Sequence, residues 1–86
     1  MLKGKTQSGF EFEVQDESLN NYDMIEVLAD VDTNALLLPK LVNMLLGTEQ
    51  AKRLTDHLRT DKGNVPLDAI SVEIMEIFKS GQAKNS

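Results

Sequence analysis

Few side chains in this sequence could do chemistry, and their spacing suits no familiar reaction. The chain has no cysteine and a single histidine, His57. One imidazole without thiolates is too little for most zinc sites and most catalytic triads. His57 stands near Arg53 at the border of a thin apolar stripe, which predicts an ordinary surface imidazole. The sequence also lacks a glycine-rich phosphate loop.

Carboxylates are plentiful, but their spacing is that of charged helix faces. A general acid or base at neutral pH needs an apolar setting that shifts its pKa, and no carboxylate here is embedded in an apolar run. The segment "DKGN" at 61–64 resembles part of a calcium loop but lacks its spacing and its closing glutamate. We therefore predict a protein that is not an enzyme and that holds no metal and no cofactor.

The composition predicts one small acidic domain spanning residues 1–86. Fourteen acids against nine bases give a net charge of −5, which makes nucleic acid a poor partner. The opening "MLKGKTQSGF" lacks the apolar core of an export signal, and the absence of cysteine favours a reducing compartment. The longest apolar run is too short and too interrupted to span a membrane. We expect a cytoplasmic protein with neither nucleic acid nor membrane as partner.

The elements that must position these residues follow from the apolar spacing. "GFEFEV" alternates with the period of a half-buried strand, so a β-hairpin is expected over about 2–15. Four helical segments follow, near 19–31, from Pro39 to Gly47, from Thr48 to before Gly63, and from Pro66 to Gly81, and residues 82–86 should form a flexible tail. The predicted fold is α+β, mainly α, with an N-terminal hairpin followed by a bundle of four short helices.

The charges are unevenly distributed along the chain. Residues 11–32 contain acids and no base, whereas five bases and three acids fall within 40–62. An acidic stripe (Asp23, Glu26, Asp30) and a basic side of the third helix (Lys52, Arg59, with Arg53 and Lys62 nearby) could meet head to tail between copies. The alternative is pairing within the helix, where Lys52, Asp56 and Arg59 are one turn apart.

The second predicted helix carries more leucine than one core face needs. Between residues 36 and 46 only Pro39, Lys40 and Asn43 are not large and apolar. On a helical wheel the apolar side covers roughly 220°, against somewhat over 100° for a one-sided surface helix. Either this helix lies at the centre of the bundle, or one of its sides faces a protein partner or a second copy.

The overall pattern resembles the small tail assembly chaperones of long-tailed phages and prophages of Gram-positive bacteria. The similar features are "GFEFEV", an acidic helix, "LPKLVNMLLG", "DHLR" followed by "GNVP", and a last helix ending in "EIMEIF". The resemblance covers about residues 9–79, and none of these motifs is catalytic.

The resemblance implies a protein that coats the long apolar tape measure protein, helps to recruit the major tail protein, and is absent from the finished virion. It also implies a longer second product made by a programmed ribosomal frameshift near the end of the short reading frame. The wheel alone assigns the partner contact to Leu37, Leu41, Met44 and Leu45, one continuous side of the leucine-rich helix. The alternative function is a small acidic module of bacterial regulation, such as an anti-activator or an antitoxin.

Overall fold

The chain begins with the expected β-hairpin. In the computed structural model, which describes the backbone of residues 1–85 and the side chains of residues 1–81, β1 (Leu2–Lys5) pairs antiparallel with β2 (Glu11–Val14). The Thr6 amide donates to the Phe10 carbonyl at 2.9 Å, and Gly9 takes a φ of 93° that favours glycine. The predicted hairpin and its turn are confirmed.

One face of the hairpin is buried and the outer edge of β2 is covered. Phe10, Phe12 and Val14 are buried, as their alternation requires, and the Phe12 ring lies so close to Gly4 that an added Cβ would approach it to 2.8 Å. The side-chain amide of Gln50 accepts from the Glu13 N–H at 2.8 Å and donates to the Glu13 carbonyl at 2.6 Å. Gln50 thereby satisfies backbone groups that an exposed strand edge would leave unpaired.

The first predicted helix begins later than expected and follows a separate single turn. A single turn, α1 (Asp16–Leu19), is separated from α2 (Tyr22–Val31) by two asparagines. The Asn21 side chain accepts from the Asp23 N–H at 2.9 Å and so caps α2. The prediction of one helix near 19–31 was therefore wrong at its start. Asn21 is a strong N-cap residue, so α2 begins at the next residue, Tyr22. A short 3-10 turn, Ala35–Leu37, follows α2.

The second and third predicted helices are present and are separated at the expected glycine, and we label them together as α3. This element, α3 (Leu38–Leu58), has Pro39 in its first turn and Gly47 at φ 80° and ψ 162°, outside helical geometry. We call residues 38–46 its first half and residues 48–58 its second half. The turn at 60–64 then leads to α4 (Leu67–Asn85).

Helix α4 begins just after Pro66, as predicted, but does not end at Gly81. Its backbone stays helical to Asn85, while Ser86 lies outside the described residues. The flexibility of the 82–86 tail stays a prediction.

The core lies where the helices meet the inner face of the hairpin. Residues of the leucine run form its centre, together with Met24 of α2, Leu54 of the second half of α3, and one side of α4. The buried members of the run are Leu38, Leu41, Val42, Leu45 and Leu46. Most of the surplus leucine is thus covered by the chain itself. The predicted class, α+β and mainly α, is confirmed. Among the described residues, no helix has the length and apolar character needed to cross a membrane.

Replacing Gly47 by alanine tests whether this residue holds the break in α3. A Cβ at Gly47 would meet nothing within 4 Å, so the cost comes from the backbone, which only glycine adopts easily at this φ and ψ. We expect Gly47→Ala to lower the free energy of unfolding by about 1–3 kcal/mol in urea denaturation. Exposed Glu49→Ala should change it by less than about 0.5 kcal/mol. Equal stability of the two variants would contradict a break held at Gly47.

Candidate functional site

An apolar groove of about 430 Å³ lies between α3 and the beginning of α4. The first half of α3 forms one wall, the second half another, and Val65 with the first turns of α4 closes the third side. Its lining residues are Leu38, Pro39, Val42, Asn43, Thr48, Ala51, Lys52, Thr55, Val65, Leu67 and Ile70. We call this surface the α3–α4 groove.

The break at Gly47 makes the groove concave. The two halves of α3 meet at an angle there, so side chains from both halves can face the same space. Pro66 directly precedes α4, and the first turn of α4 places Leu67 and Ile70 on the third side of the groove. Leu67 is 60 % exposed, an unusual position for a leucine that has a core within reach.

The lining of the groove is mainly apolar, with a few polar side chains at its rim. Asn43 donates to the Pro39 carbonyl at 3.0 Å and Thr55 donates to the Lys52 carbonyl at 2.8 Å, so both are partly satisfied within α3. Lys52 is the one charged residue among those that line the groove. Such a surface suits the apolar side chains of a partner, and a negative charge beside them.

The four leucine-helix residues predicted to bind a partner do not form an open surface. Leu41 and Leu45 are fully buried in the core, while Leu37 and Met44 are half-buried. Binding through this side would require the chain to open, and that assignment stays a prediction. The neighbouring side of the same helix, with Leu38 and Val42, forms the floor of the groove, and these two side chains are also buried, at 3 % and 4 % exposed. The wheel identified an apolar circumference but could not show which part the chain covers.

The predicted acidic stripe is exposed, but the predicted basic side is dispersed. Asp23, Glu26 and Asp30 lie on the outer surface of α2. Arg59 instead contacts the Asp56 carboxylate at 3.3 Å and the Gly63 carbonyl at 2.8 Å. Pairing within the helix is therefore observed for Asp56 and Arg59.

Two other bases of the predicted basic side, Arg53 and Lys52, lie on different sides of α3. Arg53 lies over the Phe10 ring, 5.9 Å from its centre, on the hairpin side of α3, whereas Lys52 lines the groove. Among the side chains of residues 1–81, no ion pair joins α2 to the second half of α3.

A polar cluster lies beneath the hairpin turn, and sequence reasoning missed it. Glu73, one of the carboxylates whose spacing predicted a charged helix face, is only 3 % exposed. Its Oε1 accepts from the Thr6 hydroxyl at 2.7 Å and from the Ser8 hydroxyl at 3.0 Å. His57 Nε2 lies 3.2 Å from Ser8 Oγ and 3.0 Å from the Ser8 carbonyl. The cluster joins the hairpin turn to both α3 and α4.

The geometry of this cluster is that of a structural contact which holds the hairpin turn against the helices. In a catalytic triad the carboxylate orients the imidazole through its second ring nitrogen, whereas here Glu73 binds the serine and threonine hydroxyls. The imidazole is exposed, as predicted, and its described partner is Ser8. Among the residues whose side chains are described, no group of three potential ligands is placed to hold a metal ion.

No protein-family model matches the chain, and comparisons with curated proteins and with solved structures give no match either.

Removing the Glu73 carboxylate should loosen the hairpin. Glu73→Ala leaves two hydroxyl donors without their buried acceptor, at a cost on the order of 2 kcal/mol in unfolding free energy. Glu76 lies on the same helix as Glu73, is half-buried, and accepts one hydrogen bond, from the Gln7 N–H at 2.9 Å. Glu76→Ala is therefore the control variant. Urea denaturation should show a smaller loss for Glu76→Ala. An unchanged midpoint for Glu73→Ala would show that the carboxylate does not hold the hairpin.

Proposed function

We propose that this protein is a non-enzymatic tail assembly chaperone of a long-tailed phage or prophage of Gram-positive bacteria. It binds the tape measure protein and helps to recruit the major tail protein in the cytoplasm of the bacterial host. The proposal rests on the resemblance over about residues 9–79. The structural observation that supports it is the open, apolar α3–α4 groove.

The groove suits a partner that is helical and apolar. A helix is about 10–12 Å across with its side chains, and it presents apolar residues in rows three and four apart. One such row can place its side chains against Val65 and Leu67 at the open side of the groove, above a floor of Val42, Ala51 and Ile70 that is only 4–7 % exposed, while its polar side remains in water. Exposed Leu67 lies at the edge of the groove and would be covered by the partner.

Weak contact per copy suits a chaperone of a long partner. The groove is open and small, so each copy buries far less surface than the roughly 1,200–2,000 Å² of a stable interface. Many copies along one long helix would together bind it firmly, because each neighbouring site acts at high effective concentration. The same weak contacts allow the copies to leave when the tail tube takes their place.

The exposed acidic face of α2 favours a second function, a small regulatory module that binds a basic partner protein. The gene neighbourhood separates the two proposals. A major tail protein gene upstream and a very long tape measure gene downstream would favour the chaperone, and a regulator or toxin gene as neighbour would favour the alternative.

A charge placed in the groove should weaken partner binding without unfolding the protein. Leu67→Glu puts a carboxylate at a lining position that is already 60 % exposed, so stability should change by less than about 0.5 kcal/mol. Co-expression with the long protein encoded downstream, followed by measurement of the soluble, co-purified complex, should show at least about tenfold less complex, a loss of about 1.4 kcal/mol.

The matched control for this variant lies on the same helix. Val72 is 62 % exposed and does not line the groove, so Val72→Glu should leave the complex intact. Equal binding by both variants would exclude the groove as the contact. Absence of any complex with the unaltered chain would exclude the proposed function itself.

A further inference from the structure

The two edges of the hairpin differ in their backbone hydrogen bonding. On the outer edge of β2, Gln50 binds both the N–H and the C=O of Glu13. Both groups of Glu13 therefore point away from β1, so Lys3 and Glu13 form a pair that backbone hydrogen bonds do not join. Because this pattern alternates along a strand, Lys3 and Lys5 both direct their N–H and C=O groups toward the opposite edge of the hairpin.

This opposite edge of β1 is open. Within the described residues, no hydrogen bond from another turn, cap or side chain reaches the backbone of Lys3 or Lys5. Lys3, Gly4 and Lys5 are all exposed, and β2 is the only described element that packs extensively against β1. Two N–H and two C=O groups that a neighbouring strand would use thus face solvent. We call this surface the β1 edge.

The side chains along the β1 edge favour an acidic partner. Lys3 and Lys5 are two residues apart, so both ammonium groups lie on the outer face of the hairpin. Lys3 contacts Glu13 at 3.7 Å, and Lys5 has no ion pair among the side chains of residues 1–81. In β2, Glu13 and Glu11 lie opposite these two lysines, with Phe12 between them. A strand that alternates acidic and apolar residues therefore already complements β1 on its paired side.

A second copy of β1 does not suit this edge. Antiparallel pairing through the same backbone groups would place lysine opposite lysine, and like charges at such positions are destabilising. Lysine on an edge strand is a common means of preventing that association. The lysines thus exclude a like strand and select one that carries carboxylates.

Gly4 leaves room for the middle residue of a partner strand. It lies between the two lysines on the inner face of β1 and is exposed. The Phe12 ring extends across it, since a Cβ at Gly4 would approach the ring to 2.8 Å. A glycine inside a strand often marks a place where another backbone approaches closely. An apolar residue opposite Gly4 can therefore lie beside the edge of the Phe12 ring.

A hollow of about 500 Å³ adjoins the turn that follows β1. Glu76 of α4 accepts from the Gln7 N–H at 2.9 Å and so joins the turn to the helix at this point. Val72 and Met75 are the apolar residues of the hollow and are 62 % and 40 % exposed. A strand on the β1 edge that continues past the turn can place an apolar side chain against them.

We propose that the β1 edge binds an extended segment of a partner protein by β-strand addition, and that this segment alternates acidic and apolar residues. Its backbone pairs with Lys3 and Lys5, its carboxylates face their two ammonium groups, and its apolar side chains lie over Gly4 and toward the hollow. The β1 edge shares no residue with the α3–α4 groove, so the segment and a helix in the groove can be bound together.

A synthetic peptide of alternating glutamate and valine, blocked at both ends and added to the ¹⁵N-labelled chain, tests the proposal. The largest amide shift changes are expected at Lys3, Gly4 and Lys5. Hydrogen exchange of the Lys3 and Lys5 amides should slow, because both N–H groups gain acceptors. A peptide of alternating lysine and valine is the matched control and should bind severalfold more weakly.

Two variants of Lys5 separate the backbone contribution from the charge. Lys5→Pro removes an N–H that faces solvent on an edge strand, a position where proline is accepted, and should nearly abolish peptide binding. Lys5→Gln keeps the N–H and should reduce the preference for the glutamate peptide severalfold. Lys40→Gln, at an exposed lysine of α3, should change neither. Circular dichroism of each variant checks that the fold is retained.

Four results would overturn the proposal. They are shift changes that lie away from β1, equal binding of the two peptides, unchanged binding by Lys5→Gln, and slow exchange of the Lys3 and Lys5 amides in the chain alone. The last result would show that another group already covers the edge. If Lys5→Pro does not fold, the two peptides and Lys5→Gln decide the question.

Discussion

The backbone at Gly47 is the constraint on which the other features of the molecule depend. The leucine-rich half of α3 is apolar around most of its circumference, so it needs neighbours on more than one side. At φ 80° and ψ 162° the chain leaves the helix for one residue and changes direction. The second half can then meet the hairpin through Gln50 and His57, and the inside of the bend remains open as the groove.

The hairpin depends on polar contacts as much as on its phenylalanine face. A two-stranded hairpin is marginal by itself in water and must dock on the rest of the chain. Gln50 holds the outer edge of β2, and Glu73 holds the turn from below. A buried carboxylate is costly unless its hydrogen bonds are made, so Glu73 also specifies where the turn must lie on α4. These two side chains fix the hairpin against α3 and α4.

Local pattern predicted those elements whose signals lie within a few residues. Alternation in "GFEFEV" identified the hairpin, and Pro39, Gly47 and Pro66 marked the helix starts and the break. The burial of Glu73 could not be predicted from local pattern, because its hydroxyl partner Thr6 is 67 residues away in the sequence. The charged spacing of α4 indicated a solvated face, and only the packing of the hairpin turn onto it shows otherwise.

The groove could not be predicted for a related reason. Periodicity showed that the leucine helix is apolar nearly all round, which left open whether Leu41 and Leu45 or Leu38 and Val42 would face a partner. The neighbours decide this, because Leu41 and Leu45 lie in the core, whereas Leu38 and Val42, which are also buried at 3 % and 4 % exposed, form the floor of the groove beside the bend at Gly47. The exposed charges of α2 were predictable, but their distance from Arg53 and Arg59 depended on the tertiary fold.

The most direct test of the account is amide chemical-shift mapping of the ¹⁵N-labelled chain as a soluble segment of the proposed partner, a tape measure protein, is added. The account predicts that the largest changes fall at Asn43, Lys52 and Leu67, exposed residues on the three sides of the groove. Changes concentrated instead at Val72 and Met75, on the exposed side of α4, would contradict it. Loss of the core signals of Leu41 and Leu45 would also contradict it, because the chain would then bind by opening.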